Sequence, residues 1–195
     1  MGDNIDALMN HSILWRGIYL RGHEACRLYQ VGSEWCLEGT AVFKGNDRPS
    51  RLSYLVACDS DWNTLRGVVS GWVGNDNVNI QLSVDTLHHW QLNGVKKTAV
   101  DGCIDLDLNF SPSTNLLPIR RLKLEVGQQA EVSAAWLRFP SFELKPLSQV
   151  YTRIDASTYR YSSRGGEFVR DLTVDEVGFV INYPELWEVE NSSAG

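Results

Sequence analysis

Asp105, Asp107 and Asn109 stand two residues apart, the spacing with which an EF-hand calcium loop begins. Such a loop needs glycine at its sixth position and glutamate at its twelfth, where this chain has Phe110 and Leu116, so calcium is rejected on geometry. On a strand the two aspartates share a face, with Cβ atoms roughly 6–7 Å apart. That separation could suit the two carboxylates of glycoside hydrolysis. An acid and a base must flank the scissile bond, however, and these two would approach it from one side. His88 and His89 are adjacent and would face opposite ways on a strand, so they cannot chelate together. Cys26, Cys36, Cys58 and Cys103 form no C-x-x-C pair and no zinc spacing. No phosphate loop, dinucleotide fingerprint or G-x-S-x-G elbow is present. The sequence offers no catalytic constellation, no metal site and no cofactor motif.

A sharper signal comes from Ile119-Arg120-Arg121-Leu122-Lys123-Leu124. Read as a strand, it puts Arg120, Leu122 and Leu124 on one face and Ile119, Arg121 and Lys123 on the other. If the leucines are inside, Arg120 points inside too, and a buried guanidinium is expensive without a carboxylate and further acceptors. Asp105 and Asp107 are the candidates nearest by topology, and Glu24 is another. Either Arg120 forms an interior ion pair that serves only packing, with the aspartate face solvated, or these groups line a polar patch inside a cavity. Seven Trp, seven Tyr and six Phe add aromatic surface, which suits a packed core or the walls of a site for an amphipathic ligand. In the cavity reading, Arg120, Asp105, Asp107, Asn115 and Gln149 fix a polar head group. Trp62, Trp90, Tyr151, Tyr159 and Tyr161 line the apolar part.

The elements that must position these residues are strands. Val78, Ile80, Leu82 and Val84 alternate with polar residues, as do Ile104, Leu106, Leu108 and Phe110. Further strand signals lie at 35–43, 52–58, 65–73, 119–124, 131–139, 149–154, 159–162, 168–174 and 178–182. Polar and glycine-rich breaks separate them, with Asn93-Gly94 a type I′ hairpin signal. This predicts an all-β chain: a strongly curved antiparallel sheet or partial barrel with few short helices, one domain over 1–195 and an ordered core from about 13 to 188. Leu82-Ser83-Val84-Asp85 and Leu172-Thr173-Val174-Asp175 echo each other 90 residues apart. Two duplicated halves sharing one core would explain the echo, as would chance similarity between short strands. The first dozen residues and the tail from Glu188 read as frayed ends.

The chain has 195 residues, with 18 Lys+Arg against 24 Asp+Glu and a formal charge of −6. That length buries roughly 70% of the unfolded surface, enough for a core without metal or disulfide staples. The acidic balance argues against nucleic acid or an anionic membrane as the main partner. The acidic N-terminus does not read as a signal peptide, and no apolar run reaches membrane-spanning length. The cysteines then read as reduced and mostly buried in a cytoplasm, where the sequon at Asn191 is irrelevant.

The segment Ser113-Thr114-Asn115-Leu116-Leu117-Pro118-Ile119-Arg120-Arg121-Leu122, following Cys103-Ile104-Asp105-Leu106-Asp107, resembles a bacterial family named for glycolipid binding. That family carries T-N-x-L-P-I-R-R-L after a C-x-D-x-D strand. Shorter matching pieces occur in order: Trp62 with Arg66, Trp90 before Asn93-Gly94, Gln149-Val150-Tyr151-Thr152, Tyr159-Arg160-Tyr161, and Asp175 and Gly178 before Tyr183-Pro184. Together they span Trp15 to Trp187. Asn93 and Glu185 depart from the pattern, where an acidic residue and a glycine are more usual. The resemblance implies a curved sheet or partial barrel around a cavity and brings no catalytic residue. The expectation is a non-enzymatic protein that binds a glycolipid or another amphiphile in an aromatic-lined β cavity. A structural or interaction protein without a ligand and a sugar- or lipid-acting hydrolase are the alternatives, and the oligomeric state is open.

Overall fold

The computed structural model describes residues 10–45 and 47–190. The sequon and residues 1–9 lie outside the described residues. The period-2 runs form strands β1 (Asn10–Gly17), β2 (Arg21–Val31), β3 (Glu34–Gly45), β4 (Arg48–Cys58), β5 (Thr64–Val73), β6 (Asp76–Val84), β7 (Trp90–Leu92) and β8 (Val95–Lys96). After a crossover come β9 (Asp105–Leu108), β10 (Gln129–Leu137), β11 (Leu144–Arg153), β12 (Thr158–Ser163), β13 (Phe168–Val174), β14 (Val180–Tyr183) and β15 (Trp187–Val189). Both ends expected to fray are partly structured: Asn10 pairs with Tyr29, and Val189 with Trp15. Asn93 and Gly94 both take positive φ, 50° and 76°, and join β7 to β8 as the hairpin signal predicts.

The strands form one sheet in the order β8-β7-β6-β5-β4-β3-β2-β1-β15-β14-β13-β12-β11-β10-β9. Every neighbouring pair is antiparallel except β9 and β10. The order ends at β9, yet β9 meets β5. The Thr64 N–H donates to the Ile104 carbonyl at 3.3 Å, and the Leu106 N–H donates to Thr64 Oγ1 at 3.0 Å. The sheet therefore curls until its two arms touch without closing into a ladder. Leu106 packs toward Gly67, where an added Cβ would come within 2.8 Å of the Leu106 side chain.

The segment 119–124 is not a strand. Leu116–Leu122 is a short helix, α1, preceded by a 3-10 turn at Ser113–Asn115. Pro118 falls in its first turn, where N–H groups have no intrahelical partner and proline is tolerated. Lys123 ends it in the left-handed region, at φ 47°. Leu116, Leu117, Pro118 and Ile119 are all buried, because the helix is wedged into one end of the curled sheet. Successive side chains diverge by about 100° on a helix, so the two-face argument for Arg120 and Arg121 does not apply.

The sequence echo has a structural basis. Asp85 and Asp175 each end a strand and accept backbone N–H groups from the turn that follows: Leu87 and His89 in one case, Val177, Gly178 and Phe179 in the other. Asp59, after β4, holds Asp61 and Asn63 in the same way. The residue three after each aspartate has positive φ: Trp62 at 69°, His88 at 59° and Gly178 at 103°. Asp155 organises the β11–β12 turn through Ser157 and Thr158. The units β4–β7 and β11–β14 thus share an order of strands and aspartate turns. Nothing in β1–β3 corresponds to the parallel β9–β10 pair.

The outer edge of β9 is buried, and hydroxyls take the place of a neighbouring strand. Thr114 Oγ1 accepts the Leu108 N–H at 3.1 Å, as Thr64 Oγ1 accepts that of Leu106. Thr114→Val keeps the shape and strands a buried donor, so a loss of about 1–3 kcal/mol is expected. Urea unfolding of the variant against the parent protein measures it, and Thr64→Val should behave alike.

Candidate ligand-binding site

The connections after β4, β6, β11 and β13 gather at the end sealed by α1. Away from that end, residues of β9 to β15 and of the turn between β1 and β2 surround a pocket of about 560 Å³, within the range of small-molecule sites. Its floor comes from β9 and the loop into α1: Asp107, Asn109, Ser111 and Asn115, with Tyr161 from β12. Leu20, Phe139, Leu147, Phe168, Tyr183 and Trp187 form apolar walls. Trp136, Arg138, Arg164 and Arg170 stand around the opening.

The floor is hydrogen-bonded from behind. Gln149 Nε2 donates to Asp107 Oδ2 at 2.7 Å and approaches the Tyr161 hydroxyl at 3.1 Å. The Tyr151 hydroxyl donates to Asn115 Oδ1 at 3.0 Å, and Asn115 Nδ2 donates to the Pro112 carbonyl at 3.0 Å. Asp107 retains some solvent contact, on the side that faces the pocket, and protein encloses it elsewhere. Burial pushes its carboxyl up to about 6 against the Gln149 bond, and neighbouring Asp105 adds to the rise. The carboxyl therefore exchanges its proton in a range where it can serve as a charged acceptor or a neutral donor.

A second acid lies behind Ser111. Glu24 Oε1 accepts the hydroxyls of Tyr54 and Ser111, both at 2.5 Å, and Ser111 meets Ser113 at 2.8 Å. Glu24 Oε2 has no partner among the described residues. Burial without a cation drives this carboxyl up to about 7, although both hydroxyl bonds oppose the rise.

The sequence-predicted set is divided. Asp107, Asn115 and Tyr161 line the pocket, while Gln149 and Tyr151 support them one layer back. Asp105 is buried beneath the floor and paired with Arg121, the arginine expected to face water. Arg120 lies at the sealed end, half-buried, with its guanidinium 5.3 Å from the Trp62 ring centre and its stem against Gly178. No carboxylate lies within salt-bridge distance of it among the described residues, and burial lowers its pKa. Trp62 stacks on Trp35 at 4.9 Å. Trp90 is buried with its indole N–H on the Cys103 carbonyl at 2.8 Å. Tyr159 is buried below the Arg153 guanidinium. Trp62, Trp90 and Tyr159 do not line this pocket. All four cysteines are buried and free.

Sequence reasoning missed the inward guanidinium that the pocket has. Arg170 faces Tyr161 across β12 and β13, and Phe168, Arg170 and Leu172 share its face. The same alternation argument, applied to 168–174, would have found it. Arg170 donates to Glu185 and to the Val169 carbonyl, and its Nε is buried without a partner among the described residues. Trp136 carried no such signal, since its place opposite Asp107 follows only from the parallel β9–β10 register.

Residues 12–189 match the family described as "Putative glycolipid-binding". The chain belongs to that family. Among solved structures it is similar to a DUF1089 family protein from Pseudomonas aeruginosa, at 36% identity and a TM-score of 0.73 over 85% of this chain and 90% of that one. A β-barrel-like protein of a DUF1849 domain from Brucella abortus shares the fold at 8% identity, with a TM-score of 0.56 over 95% and 99% of the two chains. No protein of curated function matches. The segment that carries the family resemblance has structural roles in this chain. Thr114 caps β9, Asn115 receives Tyr151, Arg120 lies on Trp62, and Arg121 neutralises Asp105. No helix among the described residues is long and apolar enough to cross a membrane.

Glu24 generates a pH-dependence of stability. Its folded pKa, about 7, lies above the ordinary carboxylate range, so between about pH 4.5 and 7 the folded state holds a proton that the unfolded chain releases. Its contribution is present below that window and is lost as pH rises through it, by about 3 kcal/mol at most. Urea midpoints of Glu24→Gln and parent protein from about pH 5 to 8 should show a smaller decline with pH in the variant.

Proposed function

We propose that this protein binds an amphipathic molecule bearing hydroxyl groups, without turning it over, in the pocket above Asp107, Asn115 and Tyr161. The observation that carries this reading is the pocket itself: about 560 Å³, with apolar walls and convergent hydrogen-bonding groups at one end. Carboxylate and amide oxygens accept hydroxyl protons, a phenol adds a donor, and aromatic faces cover the apolar side of a sugar ring or the start of an alkyl chain. The glycolipid-binding name of the family agrees with this chemistry. Gln149 and Tyr151 act as positioning residues, since they hold Asp107 and Asn115 in place.

One observation favours a second reading. A carboxyl raised to about 6 in a pocket has the proton affinity of a general acid. The partner carboxylate expected for glycoside cleavage, Asp105, is tied to Arg121 outside the pocket. Binding is therefore the better supported function.

Octyl glucoside added to the full chain should raise its melting temperature and be retained in native mass spectra. The affinity should fall roughly three- to tenfold from about pH 7 to 5 as the Asp107 carboxylate is protonated and weakens as an acceptor. Asp107→Asn should weaken binding at pH 7 by about tenfold and remove most of the pH-dependence. Absence of binding by this and longer alkyl glycosides would overturn the reading, and release of free octanol would favour hydrolysis.

A further inference from the structure

The pocket is charged in layers. An acid lies at the floor, while three arginines, Arg138, Arg164 and Arg170, and one carboxylate, Glu185, stand nearer the opening in a chain whose formal charge is −6. Many surface arginines meet carboxylates, as Arg27, Arg66 and Arg160 do with Glu38, Glu34 and Asp171, whereas Arg21 and Arg51, away from the pocket, meet none among the described residues. Those at the opening are poorly matched. Arg164 has no acceptor among the described residues. Arg138 reaches Glu143 only at 4.0 Å, and Glu143 is nearer to Lys145, at 3.0 Å. Arg138 and Arg164 nevertheless gather on one indole, with guanidinium carbons 5.1 and 5.7 Å from the Trp136 ring centre. Arg170 is the better matched of the three, paired with Glu185, but keeps a buried N–H without an acceptor in the pocket wall. Arg138 and Arg164 line the same pocket as Arg170, and a cation–π contact, worth about 0.5–1 kcal/mol at an exposed site, leaves their N–H groups free to donate to an anion there.

We propose that Arg138, Arg164 and Arg170 bind an anionic group, a phosphate, sulfate or carboxylate, on the ligand whose hydroxyls meet the floor; this rests on the binding function proposed above. Guanidinium forks match such oxyanions in two-point contacts, and Trp136 holds two of the forks in place. The layering also sets direction. Asp107 repels an anion from the floor, so the ligand enters with its neutral hydroxyls first and leaves its charge at the rim. The ligand class is an acidic glycolipid or a related anionic polyol amphiphile.

The test compares octyl glucoside, octyl glucoside 6-phosphate and octyl glucuronide by calorimetry on the full chain near pH 7, at low and high salt. The two anionic glycosides should bind at least ~10-fold more tightly than the neutral one at low salt, and the ratio should shrink as salt screens the rim. In the double variant Arg138→Gln/Arg164→Gln the ratio should fall to about one, and Arg164→Lys, which keeps the charge without the fork, should retain part of it. The Arg164 side chain is exposed and that of Arg138 half-buried, and matching melting temperatures check that the fold survives. A larger ratio for the phosphate than for the glucuronide identifies phosphate as the source of the charge, and the reverse identifies carboxylate. Equal binding of all three glycosides would overturn this inference and leave the binding function standing, whereas binding of none would overturn both. A preference that survives the double substitution would place the anion elsewhere and overturn it as well.

Discussion

The fold depends on how an unclosed sheet hides its last edge. A ladder that ends in the interior leaves backbone N–H groups with neither strand nor water, and each such orphan is costly. Here β9 has a neighbour on one side only, and the hydroxyls of Thr64 and Thr114 stand in for the strand missing on the other. Thr64 starts β5, and Thr114 belongs to the turn that leads into α1. The two arms of the sheet are therefore joined by side chains, which fixes where the curl stops and how wide the interior remains.

That closure also builds the site. The loop that delivers Thr114 to the edge of β9 sets Asn115 at the pocket floor, and the helix that follows seals the opposite end with Leu116, Leu117 and Ile119. Arg121 then reaches back to Asp105, so that of the two aspartates on β9 one is neutralised beneath the floor and the other faces the pocket. A single segment of about ten residues thus seals, floors and charges the interior. This gives a physical reason why that stretch is the most distinctive in the sequence.

The alternation of apolar and polar residues made β3 to β6 and β9 to β14 legible, because apolar side chains recur on one face over several repeats. It was silent for β1 and β2. His11, Ser12 and Arg16 blur the first of these, and the buried Glu24 breaks the pattern of the second. Over 119–124 it misled, since six residues with two leucines in step fit a strand and a wedged helix equally, and Pro118 was the cue that favours the helix. In the pocket, Asp107 and Tyr161 were legible from type and strand face, and Asn115 from its type within the segment that carries the family resemblance. Tyr19, Trp136 and Arg138 reach the opening through turns and a parallel register that no short-range pattern encodes.

The charges left inside are the strongest sign that the interior is built for more than stability. Glu24 and Asp107 lack cations, Arg120 rests on Trp62 without a carboxylate, and two guanidiniums share Trp136 at the opening. A core selected for stability alone would pair these groups or replace them with apolar side chains, since a buried acid held protonated loses stability as pH rises. The chain does make such a pair where the fold needs one, at Arg121 and Asp105. In the proposed function, leaving Asp107 at the floor and Arg138 and Arg164 at the rim without strong ion pairs keeps them available to a molecule that presents donors at one end and an anion at the other. Proteins relax local rules of this kind where a site must stay receptive, and here Asp107, Arg138 and Arg164 line one pocket, while Glu24 lies behind its floor and Arg120 at the sealed end.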